Sequence, residues 1–498
     1  MAYGKTFSLR KFTKLHQWLG WTGGLALLIF AISGITHPLM TWTGPKAASF
    51  FPPQVKVSAE SASQIPSILQ QNNISTAIMA KIIPSKEGAL LQVTQSNDAP
   101  RRYFDLKTGN EKLNYDQKQA VWLARYYSGL KTTPIKSIHF QTEFSNSYPW
   151  VNRLLPVYKI EFDTPDQKTT FIYTELSALA GITNNWKTSV QTVFRVLHSW
   201  SWLDDFEYAR VFLMMLLMLS LLGMALTGMT LIFMIKKRTI FDGRRKWHRL
   251  LSFAIWLPLL LFTASGVYHL LHYSFGDNHR GLKLGNSFDL SRERFGPDLN
   301  WLDQFKDKPL NSLSLVDVLD ETNSPRLLYR ISVPKGKPGQ TISRVQRFKG
   351  MGVEKQAFYF DAFTGKKAKF SDKDVAINIA KTQLGFTKDQ LLSTKLVTHF
   401  GPHYDFRNKR LPVWRLDYNT PKGDKLFIDP ATGVLVDRLV DLERYEGYSF
   451  SLLHKWNFLV PLIGRENRDI VITIILIAAL IFTCLGYLML FKRRRTPS

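Results

Sequence analysis

Two related stretches of this sequence decide the fold. KLHQWLGWTGGLALLIFAISGITH occupies residues 14–37, and KWHRLLSFAIWLPLLLFTASGVYH occupies residues 246–269. Both are apolar over most of their length, and each carries a histidine close to either end. The second stretch repeats the first at an offset of 232 residues. A chain that repeats an apolar segment in this way is predicted to contain an internal duplication.

Two more apolar runs bring the number to four. The runs cover Leu15–Met40, Val211–Ile235, Leu250–Leu271 and Ile470–Phe491. Each has about 20 residues or more, which is enough for a helix to cross a hydrocarbon core of about 30 Å. A cleaved signal peptide does not fit the first run, because no small-residue cleavage site follows it and three more spans come later. We therefore predict an integral membrane protein.

Lysine and arginine residues near the ends of the runs predict the orientation. They are concentrated in segments 5–14, 236–249 and 492–495, which should therefore be cytoplasmic. Both termini are then inside, and the two long segments lie outside the cytoplasm. The predicted division is residues 1–42, 207–236, 248–272 and 468–492 as transmembrane helices, 43–206 and 273–467 as outer regions, 237–247 as a cytoplasmic loop and 493–498 as a cytoplasmic tail.

The outer regions repeat as well. RLLPVYKIEFDTP (153–165) resembles KRLPVWRLDYNTP (409–421), and RYFDLKTGN (102–110) resembles FYFDAFTGK (358–366). Short alternations of apolar and polar residues that end in Thr-Gly turns predict strands, and helical patterns precede some of them. We expect a membrane four-helix bundle with a parallel two-fold repeat. Its outer domains should be α+β, with two modules in each outer segment.

Composition limits the possible partners. The formal net charge is +26, and 50 basic and 38 acidic residues remain when the cytoplasmic segments are set aside. A basic outer surface would attract anionic ligands or an anionic membrane face, although it is equally consistent with a generally cationic surface. No basic, aromatic-interleaved groove indicates nucleic acid. Cys484, the one cysteine, lies in the fourth apolar run, so disulfides and cysteine-based metal or iron–sulfur sites are excluded.

Several motifs resemble a known family. YFDLKTG, FYFDAFTG and LFIDPATGVLV are similar to the PepSY module. The motifs LHxWLG, S-G-I/V-x-H and LHSW/LHKW around the spans resemble the PepSY-associated transmembrane family, which includes iron-regulated inner-membrane proteins and di-haem ferric-siderophore reductases. The resemblance covers nearly the whole chain. It implies a bacterial inner-membrane protein whose large PepSY-like domains face the periplasm.

Seven of the eleven histidines lie at predicted membrane boundaries. They are His16, His37, His198, His248, His269, His272 and His454. Ionisable residues inside a membrane are costly, and neutral imidazole ligates haem iron in helix bundles. We expect two b-type haems, one near each leaflet, with His16 and His248 facing each other on the cytoplasmic side. The outer pair is drawn from the other five histidines.

The sequence does not decide which two histidines form the outer ligand pair. His16 and His37 are 21 residues apart, about 31 Å along a straight helix, which is long for direct electron transfer. Histidine at a membrane interface can also be only an amphipathic anchor. Of the remaining histidines, we expect His399 and His403 to lie in a loop, because the Gly-Pro pair between them breaks a helix, and His139 to be buried near the sheet. No role is assigned to His279.

The motifs favour an oxidoreductase. No dinucleotide fingerprint, phosphate loop, HExxH motif or Ser–His–Asp signature occurs, so the electron donor should be a separate quinol, flavin or soluble reductase. The leading hypothesis is electron transfer across the inner membrane to a periplasmic ferric siderophore or other ferric complex. The alternative is a cofactor-free scaffold that binds a periplasmic peptide, protease or transporter component. A metal permease is a third possibility, but the spans carry no carboxylate or histidine at the midplane.

Overall fold

The computed structural model describes residues 2–49, 51–235, 243–279, 281–297, 299–306, 310, 312–334 and 355–494. Most of the predicted cytoplasmic loop and of the basic tail lies outside these residues. The chain divides into two compact units. The bundle unit comprises residues 1–44, 186–278 and 442–498, and the sheet unit comprises residues 45–185 and 279–441.

The secondary structure alternates long helices with groups of short strands. The α-helices of the described residues are α1 (Ala2–Thr43), α2 (Ser61–Gln71), α3 (Tyr115–Ser128), α4 (Asn185–His198), α5 (Glu207–Met234), α6 (Gly243–Phe275), α7 (Asp372–Leu384), α8 (Asp441–Tyr448) and α9 (Val460–Arg494). The strands are β1 (Thr76–Ala77), β2 (Met79–Ser85), β3 (Gly88–Thr94), β4 (Arg102–Asp105), β5 (Ile135–Gln141), β6 (Val157–Phe162), β7 (Thr169–Tyr173), β8 (Ala178–Thr183), β9 (Phe288–Asp289), β10 (Ser312–Leu319), β11 (Pro325–Pro334), β12 (Lys355–Asp361), β13 (Leu391–Val397), β14 (Val413–Tyr418), β15 (Lys425–Asp429) and β16 (Val434–Leu439).

Four helices of the bundle unit are long and apolar enough to cross a membrane. The candidate spans are Leu9–Thr43, Ser201–Met234, Gly243–Phe275 and Asn457–Phe491. The four apolar runs of the sequence are therefore confirmed as helices of spanning length. Each candidate span is longer than its apolar run, because the helical hydrogen-bond ladder continues past the apolar residues at one or both ends.

The four long helices form a closed ring in which α1 and α6 each contact both α5 and α9. Their shared core combines large apolar side chains such as Leu221 and Ile255 with small ones such as Ala26 on α1 and Ala479 on α9. A Cβ added to Gly23 would lie 2.9 Å from the carbonyl oxygen of Ser220 on α5. This contact requires glycine, because only small residues let two backbones approach so closely.

The sheet unit is α+β, as the sequence indicates. Its two four-stranded antiparallel sheets have the orders β5-β6-β7-β8 and β13-β14-β15-β16. Helix α3 covers the first sheet through residues such as Leu123, and α7 covers the second through residues such as Ile379. Each of these helix–sheet pairs matches an expected α+β module.

From the sequence we expected the remaining strands to form two separate modules, and they do not. Six of them join in one sheet of order β12-β11-β10-β2-β3-β4, and β1 and β9 form a separate two-stranded antiparallel sheet. The junction is the antiparallel pair of β2 and β10, where Lys81 lies opposite Ser314 and Ala80 opposite Leu315. A three-stranded module would leave an edge of unpaired N–H and C=O groups, and pairing the two edges satisfies them.

Candidate functional site

His198 and His454 meet in the bundle unit. His198 is the last residue of α4, and His454 ends a short π-helical turn, Ser449–His454, that follows α8. The centroids of the two imidazole rings are 6.4 Å apart, and the ring planes are inclined by 73°. Of the candidate outer ligands, these two therefore form a close pair.

The Nδ1 atom of each ring is held by a hydrogen bond to α1 or α6. His454 Nδ1 lies 3.2 Å from the carbonyl oxygen of Phe262, which can only accept, so Nδ1 carries the proton. His198 Nδ1 lies 2.9 Å from Ser33 Oγ, whose own proton is directed to the carbonyl oxygen of Ile29. In both rings Nε2 is then the basic nitrogen that can bind a metal.

Aromatic side chains fix the planes of both rings. Phe194 stacks on His198 at 4.7 Å and 17°, and Phe450 stacks on the ring of His454 at 4.7 Å and 15°. Phe30 meets the His198 ring edge-on at 5.6 Å. Such stacking restricts rotation of an imidazole about its Cβ–Cγ bond and preserves its orientation.

His16 lies on α1, and His248 lies on α6. His16 Nδ1 is 3.1 Å from the carbonyl oxygen of Met224 and 3.1 Å from Thr227 Oγ1, both on α5. The carbonyl again places the proton on Nδ1 and leaves Nε2 basic. His248 stacks on the ring of Phe482 at 4.2 Å and 8°.

A glycine faces each of these two imidazoles. A Cβ added to Gly228 would lie 3.0 Å from Cε1 of His16, and one added to Gly486 would lie 3.5 Å from Cε1 of His248. These glycines leave space beside the rings that any larger residue would fill. Gly228 lies within the second apolar run and Gly486 within the fourth, but the sequence does not show that they face the histidines.

The other three candidates lie beside the His198–His454 pair or further along α6. His37 is tilted against Phe194 at 6.2 Å, and His269 stacks on Phe450 at 4.1 Å. Nε2 of His272 is buried and has no hydrogen-bond partner among the described residues. Two phenylalanines therefore separate His37 and His269 from the close pair.

Glu446 is a site residue that the sequence analysis missed. Its buried carboxylate accepts a hydrogen bond from Nδ1 of His269 at 2.6 Å. The repeat places Val190 at the corresponding position of the first half, so a carboxylate there breaks the pattern. This difference between the two halves, eight residues before His454, is the sequence feature that could have identified Glu446.

The remaining histidines do not join this site. His139 lies on β5 opposite Lys159 on β6, and His399 and His403 lie outside helices, as the Gly-Pro between them predicted. Within the described ranges, no three histidine, cysteine, aspartate or glutamate side chains come together as a metal site. No family model and no curated protein matches the chain.

Proposed function

We propose that this protein is an inner-membrane oxidoreductase of the PepSY-associated transmembrane type. It would hold two b-type haems on histidines of the bundle unit and move electrons to a periplasmic ferric siderophore or other ferric complex. Both termini would be cytoplasmic. The observation that carries the proposal is the close pair of His198 and His454, each with Nδ1 occupied and Nε2 free to ligate.

Bis-imidazole haem supplies one-electron chemistry by alternating between ferric and ferrous iron. The residues present fit such a group. A metal bonded to Nε2 of both rings at about 2 Å would separate the ring centroids by roughly 6 Å, close to the 6.4 Å between His198 and His454. Two protein ligands leave no open position on the iron, which suits electron transfer better than oxygen binding.

His16 and His248 are the ligands we assign to the cytoplasmic side. Thr227 and the Met224 carbonyl hold the ring of His16, and Gly228 and Gly486 leave room beside the two imidazoles. The cationic partner for a carboxylate of the haem would be the guanidinium of Arg249, the residue after His248. Its Nη1 is buried and has no hydrogen-bond partner in the described part of the chain.

The assignment of His198 and His454 shortens the distance between the two sites. His198 is bonded to Ser33, which is 17 residues after His16 on α1, a rise of about 26 Å. Using His37 instead would require about 31 Å. Phe30 lies one helical turn before Ser33 on α1, in the direction of His16. Its aromatic ring contacts His198 from that side.

Matched contacts support a two-fold internal duplication of the bundle. Ser265 contacts His454 as Ser33 contacts His198, at 3.3 Å and 2.9 Å. The edge-on contact of Phe30 with His198 has its counterpart in Phe262 with His454, at 5.6 and 5.8 Å. The stacking phenylalanines correspond in the same way.

The sheet unit would serve as the docking surface for the ferric complex. Reduction to ferrous iron weakens its binding by hard oxygen ligands, so electron delivery would release the metal. The electron donor, a quinol, a flavin or a soluble reductase, would be a separate molecule. The alternative of a cofactor-free scaffold that binds a periplasmic peptide, protease or transporter component rests on the PepSY-like sequence motifs alone.

Single histidine variants test the proposal. We expect His198→Ala and His454→Ala each to retain about one haem of two per chain, whereas His139→Ala, in the sheet unit, retains both. If His198 and His454 hold a ferric haem, the unaltered protein should give a strongly anisotropic low-spin electron paramagnetic resonance signal, because the two imidazole planes are inclined by 73°. Full haem content in both bundle variants would refute the ligand assignment. A scaffold would bind no haem in any variant.

A further inference from the structure

The sheet unit buries a network of charged side chains away from the histidines of the bundle. The cations are Lys81, Arg101, Lys283 and Arg410, and the carboxylates are Asp116, Glu175 and Asp429. Glu175 is 1% exposed, Arg101 is 3% exposed and Arg410 is 5% exposed. Charges at this depth are costly unless they are paired and hydrogen-bonded.

Glu175 is the centre of the network. Its carboxylate contacts Arg410 at 2.7 Å and Lys283 at 2.8 Å, and its backbone carbonyl accepts from Lys81 at 2.5 Å. Arg410 also pairs with Asp429 at 2.8 Å. Each carboxylate oxygen of Glu175 therefore has a cation of the second half at hydrogen-bond distance.

Arg101 leaves two guanidinium nitrogens without a hydrogen bond in the described part of the chain, although its guanidinium carbon also lies 5.2 Å from the centroid of the Tyr173 ring. Its one ion pair, Nη2 to Glu175, is 3.5 Å long, and its Nε and Nη1 are buried with no hydrogen-bond partner among the described residues. Asp116 does not supply the missing contact to the side chain, because it accepts from the backbone N–H of Arg101 and the hydroxyl of Tyr103. The neighbouring hydroxyl of Thr174 is also buried without a partner in the described ranges.

The network contains one more cation than carboxylates. Burial and the charge of Arg410 lower the pKa of Lys81 to about 8, so Lys81 keeps its proton at pH 7. A water molecule could satisfy an N–H group of Arg101 but would not offset the surplus positive charge. A buried, unpaired polar group in a native protein calls for a ligand, an ion or water to explain it.

We propose that Arg101 binds a small monovalent anion, with chloride as its simplest representative, inside the sheet unit. The anion would accept hydrogen bonds from the unpaired guanidinium nitrogens and balance the charge of the network. Because Glu175 and Arg101 come from the first half of the sheet unit and Lys283 and Arg410 from the second, anion binding would stabilise the packing of the two halves. This site is independent of the proposed haems.

Hydrogen exchange of the full-length protein in detergent tests the proposal. Sodium chloride would replace sodium gluconate at constant total salt, and exchange would be followed in peptides covering 99–105 and 170–178. If local opening releases the anion, chloride at ten times its Kd slows exchange about 10-fold. Arg101→Met should lose this response. Arg102→Met is the matched control. Arg102 pairs at the surface with Glu111, so this variant should keep the response to chloride.

A second variant keeps the test decisive if Arg101→Met fails to fold. Lys81→Met removes the surplus charge and leaves Arg101 in place. We expect its exchange in gluconate to be no faster than that of the unaltered protein, and its response to chloride to fall at least several-fold. The proposal would be refuted if exchange in the unaltered protein did not depend on chloride and exchange in Lys81→Met were faster. Bound water would then be the partner of the Arg101 guanidinium.

Discussion

Removing the hydroxyl of Ser33 should raise the midpoint potential of the outer haem that we propose on His198 and His454. Ser33 is fully buried, and its Oγ accepts the hydrogen bond from Nδ1 of His198 at 2.9 Å. A hydrogen bond at Nδ1 makes Nε2 a stronger donor and favours the ferric state. Ser33→Ala removes that bond with little change in side-chain volume, so the ferrous state becomes easier to reach.

The magnitude follows from the value of one hydrogen bond. A net contribution of about 1 kcal/mol, placed entirely on the ferric state, corresponds to about 40 mV for one electron, since a tenfold change is about 59 mV. Ser265→Ala is the matched control. It should shift the potential less, because the carbonyl oxygen of Phe262 still accepts from Nδ1 of His454 at 3.2 Å.

The assay is a spectroelectrochemical titration of the purified protein, with haem content measured on the same samples. Replacing a residue that hydrogen-bonds a metal ligand can also weaken metal binding by about 10–100-fold. The midpoint potential must therefore be compared with the haem content of the same sample. The reasoning is refuted if Ser33→Ala keeps its haem and its potentials do not move. A shift in Ser265→Ala as large as that in Ser33→Ala would also contradict it.

Three further predictions concern single positions. Glu175→Gln should destabilise the protein by about 3–5 kcal/mol in denaturant unfolding, because it leaves buried cations unpaired, whereas Glu111→Gln at a surface pair should cost about 1 kcal/mol or less. Burial alone would raise the pKa of Glu175, but the combined positive charges of Lys283, Arg410 and Arg101 outweigh it and hold that pKa below the ordinary 4.5; the contribution of Glu175 to stability should therefore be complete above about pH 4.5 and be lost as the pH is lowered below it, and an acid-stable protein would disprove the pairing. Gly228→Leu should lose one haem of two in a pyridine haemochrome count, since even a Cβ would lie 3.0 Å from His16, and an unchanged count would place the inner haem elsewhere.

The helical part of the fold was accessible from the sequence because spanning a membrane imposes a length and a polarity that can be read directly. The repeat also predicted which residues correspond. It could not choose among the outer histidines, because His198 and His454 sit on short segments before the spans. Their meeting depends on how α4 and the π-helical turn fold back on the bundle.

The sheet unit shows a different limit. Alternating patterns and Thr-Gly turns identified several of the strands, but the pairing of β2 with β10 uses backbone groups that no side-chain pattern specifies. The charged network was also missed. Its centre, Glu175, corresponds to Ala431 in the repeat. Ala431 lies in an Asp-x-x-Thr-Gly turn, whereas the turn that contains Glu175 departs from this pattern and carries the buried carboxylate.

The most direct test of the central claim is the absorption spectrum of the purified protein from haem-replete cells, recorded oxidised and then reduced with dithionite. The account predicts a sharp Soret band, distinct α and β bands after reduction, and about two haems per chain by pyridine haemochrome. A colourless preparation would contradict electron transfer by this protein and leave the scaffold as the hypothesis to pursue.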